Sequence, residues 1–174
     1  MQASSISFVE SSVKLVGVVT HIIHTARDNR GVSAIFQLKA SNSKIVVVAE
    51  FGTISHSPLI GDIWKVSGEH KSDLTYGSQF KAEEATKLLP DKNTPYEVIG
   101  DFLVFNANFV GLNRHWANKL IRLYKNELFQ VLESISAAEL TANKKLKMSA
   151  TKASNLLESW HQISKESELY DFFQ

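Results

Sequence analysis

The sequence predicts two modules in series, a β module of five strands forming a small closed barrel and then an α module. Two observations predict this. Apolar residues recur with the period of strands over the first half and with the period of helices over the second. A stretch rich in Pro, Asp and Asn at residues 90–95 separates them.

The strands follow in order. Residues 13–24 are rich in β-branched side chains and lead into the polar run 26–31, which reads as a turn. Residues 31–40 alternate, with Val32, Ala34, Phe36 and Leu38 on one face and Ser33, Gln37 and Lys39 on the other. Ser41, Asn42 and Ser43 form the next turn, and 44–51 a third strand. Pro58 and Gly61 punctuate the connection to a fourth strand at 62–69, and a fifth runs over about 79–87 after Tyr76 and Gly77. Five short strands separated by turns suit an OB-like barrel. Trp64 and Phe36 sit among apolar neighbours at strand spacing and are expected in its core. The expected layout is an N-terminal tail over 1–11, the barrel over 12–91 and the helical domain over 92–174.

In the second half, residues 97–107 predict a helix with Val98, Phe102 and Phe105 on one stripe. Residues 113–124 place Trp116, Leu120 and Leu123 at helical spacing, and Leu128, Val131, Leu132 and Ile135 mark a shorter helix. Ser136 is the expected N-cap of another, with Glu139 completing a capping box. A further helix covers about 151–162, and Leu169, Phe172 and Phe173 give an aromatic-rich end. Two stretches look like a degenerate duplication: Gly111-Leu112-Asn113 with Ala117, and Lys147-Met148-Ser149 with Ala153. Each is a turn, a short spacer and an Ala early in a helix, the shape of two helix-hairpin-helix units side by side.

Composition narrows the function. The chain has no cysteine, which excludes disulfides, thiolate zinc sites and cysteine nucleophiles and fits a cytoplasmic setting. Apolar runs stop at about half a dozen residues, far from the roughly 20 that span a bilayer, and no signal peptide is evident, so no membrane is expected. Among the six histidines, His21 and His24 are expected on opposite faces of a strand and His56, His70, His115 and His161 are scattered, so no metal or other cofactor is expected. Ser78 lacks a nucleophile elbow, and Glu83 and Glu84 are adjacent on a strand. There is no Gly-x-x-x-x-Gly-Lys-[Ser/Thr], so this chain is expected not to be an ATPase.

Four stretches in order carry a resemblance: Gly17-Val18-Val19, Pro58-Leu59-Ile60-Gly61-Asp62, Val66-Ser67-Gly68-Glu69-His70 running on to Tyr76-Gly77-Ser78-Gln79-Phe80-Lys81-Ala82, and Gly111-Leu112-Asn113 with Ala117. Together they resemble the N-terminal region of long-form RecD-type DNA helicases, an OB-like barrel followed by helix-hairpin-helix elements ahead of the motor. The resemblance implies a non-catalytic accessory region that engages or positions DNA in repair or recombination, with the helicase motor in the same parent protein. Two departures stand out. Asn113 and Arg114 occupy the last two places of a hairpin that usually reads Gly-Ile-Gly-Pro, and Lys147 stands where the second hairpin tends to have glycine.

The expected nucleic-acid contacts follow. Net charge is only +1, but residues 112–153 hold eight basic side chains (Arg114, Lys119, Arg122, Lys125, Lys144, Lys145, Lys147, Lys152) against three acids (Glu127, Glu133, Glu139). With Gly111 and Asn113 at the hairpin, this patch suits contact with backbone phosphates of single-stranded or junction DNA. On the barrel, Tyr76 and Phe80, beside Lys71 and Lys81, suit either base stacking or internal packing. The apolar end at Trp160, Leu169, Tyr170, Phe172 and Phe173 suits docking on the chain's own helices, or a place for a missing motor domain, a second copy or another partner, and its abruptness suits a chain cut from a longer one. A protein-interaction module without DNA binding is the alternative reading.

Overall fold

The computed structural model describes residues 12–74 and 77–173, with side chains described for all of these except Asp73 and 167–173. Two compact units emerge, Met1–Leu88 and Leu89–Gln174. Among the described residues no helix is long and apolar enough to cross a membrane.

The first unit is a closed five-stranded barrel, OB-like in form, with strand order β1-β2-β3-β5-β4. Its strands are β1 (Val13–Asp28), β2 (Gly31–Ala40), β3 (Ser43–Ile54), β4 (Ile63–Asp73) and β5 (Gly77–Leu88). β1 is long because it serves two neighbours: its first part, to Val18, pairs with β4 and its second, from Val18, with β2. Gly17 sits at the changeover, where a Cβ would overlap the Lys39 carbonyl. A short parallel pairing of Val47 and Val48 with Phe80 and Lys81 closes the barrel. Alternation on β2 does what it predicts, since Val32, Ala34, Phe36 and Leu38 are all buried. Trp64, 1% exposed, and Phe36 meet inside with ring centroids 6.1 Å apart.

Two details differ from the simple strand reading. β1 continues through the predicted turn to Asp28, whose carboxylate accepts the Arg30 backbone N–H at 2.7 Å and so tightens the reversal to Asn29 and Arg30. β1 also carries two register shifts, between Val19 and His21 and between Ile22 and His24. His21 consequently pairs with Gln37 and His24 with Ile35, two positions that share one face of β2. The two histidines therefore lie on the same outer face, not opposite ones, because the bulge between Ile22 and His24 resets the two-residue alternation. Among the described residues no group of three potential ligands is close enough to hold a metal ion.

The connection from β3 to β4 is pinned to β1. Val19 donates its N–H to the Asp62 carbonyl (2.9 Å) and accepts from Gly61 (2.8 Å). The Asp62 side chain accepts from the Leu59 N–H at 3.0 Å and lies 3.6 Å from Lys87 Nζ. Burial pushes its carboxyl above the ordinary range, with Lys87 and the Leu59 N–H pulling the other way.

The second unit contains α1 (Tyr96–Phe105), α2 (Arg114–Tyr124), a 3-10 turn (Lys125–Glu127), α3 (Leu128–Ser134), α4 (Ala137–Ala142) and α5 (Ala150–Phe173). Helix α1 stops before the predicted Ala107 because Asn106 takes an extended conformation and its Oδ1 accepts the Asn108 N–H at 3.0 Å. The capping box of α4 forms as the sequence predicts, with Ser136 Oγ accepting the Glu139 N–H and Glu139 reaching back to Ser136. The core gathers Ile99, Leu103, Leu120, Leu128, Leu132 and Leu140, all at most 1% exposed.

Candidate nucleic-acid interface

Each of two tight reversals in the helical unit delivers a helix N-terminus. The first joins α1 to α2 and the second joins α4 to α5. They match position by position, 36 residues apart (147 − 111). Gly111 has φ +76° and Lys147 φ +54°, so both turns enter the left-handed region at the same point. Leu112 and Met148 are buried at the next position. Asn113 Oδ1 accepts the Trp116 N–H at 3.1 Å, and Ser149 Oγ accepts the Lys152 N–H at 3.2 Å. Ala117 and Ala153 are then both fully buried, and Leu120 and Leu156 follow one turn later. The duplication visible in the sequence is a duplication of backbone conformation and capping.

The lysine at 147 departs from the glycine that such a turn favours. A non-glycine side chain in the left-handed region costs about 1 kcal/mol, and the surrounding bonds hold it there. Asn143 Oδ1 accepts the N–H groups of Lys145 (3.0 Å) and Leu146 (3.1 Å), and the Asn143 carbonyl accepts that of Lys147 (3.1 Å).

The two reversals lie side by side. Lys152, on α5, donates to the Gly111 carbonyl at 3.0 Å, and Lys119, on α2, donates to the Leu146 carbonyl at 3.5 Å. Each lysine thus reaches from one repeat to the hairpin of the other. Lys144, Lys145 and Lys147 are exposed on the second hairpin. The first-turn N–H groups of α2 and α5 have no acceptor within their own helices apart from the caps, which aims donors and partial positive charge outward.

Not every expected contact is placed for this work. Arg114 turns its guanidinium onto Asp101, 2.7 Å away, whose side chain is only 3% exposed. Arg122 lies in the last turn of α2, about 12 Å along the helix from the hairpin end. Phe80 is fully buried in the barrel core, edge-on to His70 at 5.1 Å, so packing and not base stacking is its role. Tyr76 lies outside the described residues, as do the side chains of Leu169, Tyr170, Phe172 and Phe173. Lys71 and Lys81 face Glu69 (3.5 Å) and Glu50 (3.6 Å). Around the described barrel surface the partly exposed Phe51 is covered by Arg30, whose guanidinium is 4.0 Å from the ring centroid.

Asp101 escaped the sequence reading. The signal was present: a lone acid within the apolar run Val98-Ile99-Gly100-Asp101-Phe102-Leu103 needs a cationic partner when buried.

Comparison with known families bears on the barrel. Residues 12–90 match the family described as ATP-dependent DNA helicase YrrC, OB-fold domain. That YrrC-type match covers just under half of the chain and ends where the helical unit begins. It supports an OB domain of a DNA helicase family, a coarser assignment than the RecD type suggested by the sequence motifs. No curated protein matches the chain.

Proposed function

We propose that this chain is the non-catalytic front region of a RecD-like DNA helicase and that its helical unit engages DNA through backbone phosphates. The observation that carries this reading is the duplicated, capped hairpin with its lysines. Gly111, Asn113 and the first turn of α2 present N–H donors on one side, and Lys144, Lys145 and Lys147 supply charge on the other. Lys119 and Lys152 add cations where the hairpins meet. Such contacts position a duplex, strand or junction without reading its sequence. ATP hydrolysis would belong to a motor in the parent protein. The YrrC-type match of the barrel supports the helicase setting.

The test is fluorescence anisotropy with labelled single-stranded, duplex and fork DNA at low and moderate salt. Binding should weaken steeply with salt, and Lys144→Glu/Lys145→Glu should abolish it at moderate salt. A folded protein that binds none of these at low salt overturns the reading.

A second reading, an interaction or self-association module, draws on a different observation. A groove of about 290 Å³ in the helical unit is lined by Pro90, Phe129, Gln130, Glu133 and Trp160 among others. Association there would be insensitive to salt, which separates the two readings.

A further inference from the structure

The geometry points to Trp116 as a stacking platform for an unpaired nucleotide, with Lys119 and Lys152 taking the flanking phosphates. This deepens the nucleic-acid reading above and rests on it, adding single-stranded DNA as the substrate class. Trp116 sits in the first turn of α2, partly exposed, with Lys119 Nζ 4.8 Å and Lys152 Nζ 5.4 Å from its ring centroid. His115, exposed, lies edge-on to the indole at 5.9 Å.

The fold does not ask for a large aromatic at this place. In the second repeat the equivalent position is Lys152, and both hairpins are packed instead by Leu112 and Met148, Ala117 and Ala153, and Leu120 and Leu156. The other two tryptophans are internal. Trp64 is 1% exposed in the barrel, and Trp160, 3% exposed, donates its indole N–H to Glu133 at 2.9 Å.

Both lysines are held in place yet keep spare capacity. An ammonium has three donors, and each of these lends one to a hairpin carbonyl. An ammonium over a partly exposed ring is held more weakly than one bonded to phosphate. A phosphate arriving beside the hairpins draws the lysines off the indole, and the attached base takes their place on the ring. A base inside a duplex has both faces stacked, so only an unpaired or terminal nucleotide can do this.

The experiment follows oligo(dT) and a long duplex, whose internal sites far outnumber its two ends, binding to the full chain by anisotropy and by tryptophan fluorescence. Trp64 is enclosed in the barrel and Trp160 lines the groove, so quenching by oligo(dT) that is lost in Trp116→Phe reports Trp116. Trp116→Leu should weaken oligo(dT) binding about 5- to 100-fold while leaving duplex affinity unchanged. Trp116→Phe should retain most of the affinity. Lys119→Gln/Lys152→Gln should lower the salt slope for oligo(dT) by about 0.7 per lysine. Should Trp116→Leu fail to fold, quenching in the wild type together with retention in Trp116→Phe decides. Oligo(dT) binding without quenching and without loss in a folded Trp116→Leu overturns this inference alone, as does equal loss on duplex. Absence of any DNA binding by the wild type overturns the hairpin reading and this inference with it.

Discussion

Arg114 is the residue on which structural and DNA-binding roles part most cleanly, and replacing it with alanine tells them apart. Its guanidinium bonds Asp101 at 2.7 Å, joining α2 to α1. Removing one partner of a buried ion pair costs about 3–5 kcal/mol, whereas an exposed pair is worth about 0–1 kcal/mol. Asp101 is 3% exposed at its side chain but Arg114 is 45% exposed, so water relieves part of the loss. Arg114→Ala is therefore expected to cost about 2–3 kcal/mol, with Arg114→Lys in between because ammonium lacks the planar fork. Thermal unfolding followed at 222 nm reads the helical unit, whose melting point should fall by roughly 10–20 °C. A folded Arg114→Ala of wild-type stability that has lost DNA binding would refute the structural assignment.

Other substitutions test other parts of the account. Gly68 lies at a register shift in β4, where a Cβ would overlap the Lys81 carbonyl. Gly68→Ala should cost the barrel about 1–3 kcal/mol in urea unfolding, and a neutral result would contradict the close approach. Ser136→Ala removes the acceptor of the Glu139 N–H and should destabilise the helical unit by about 1 kcal/mol. A loss below the error of the urea curves would show that the cap is not holding α4. Burial pushes the His56 imidazole below its ordinary pKa of 6.5, and Lys87 and Arg27 push the same way against Asp62. Its contribution is full above that unfolded value and is lost as pH falls through it toward the lowered folded one. Barrel stability should therefore decline from pH 7.5 to 5.5, and His56→Gln should flatten the decline. Asp62, raised by burial, acts in the opposite sense and gains as it protonates. A flat wild-type profile across that window would contradict the assignment to His56.

Much of this fold is legible in the sequence because local chemistry decides it. The alternation of Val32, Ala34, Phe36 and Leu38 gives β2 its span, and Ser136 with Glu139 marks the start of α4. Features set by a second segment are harder to see. The bulges of β1 depend on its pairing with β2, and the one between Ile22 and His24 places His21 and His24 together on the outside. The end of α1 is set by one side chain, Asn106, whose competition with the helix is easily missed inside the pattern. At the candidate interface the repeat of Gly111 to Ala117 in Lys147 to Ala153 is readable, yet the commitment of Arg114 to Asp101 is tertiary. The exposure of Trp116 is equally hidden, since helical spacing alone places it on one stripe with the core residue Leu120.

The most direct test of the account is amide chemical-shift mapping of the full chain during titration with a short oligonucleotide at low salt. The largest changes should fall at Gly111 to Trp116 and at Lys144 to Lys152, fading as salt is added. Changes confined to the barrel, or to the groove at Phe129 and Trp160, would contradict it.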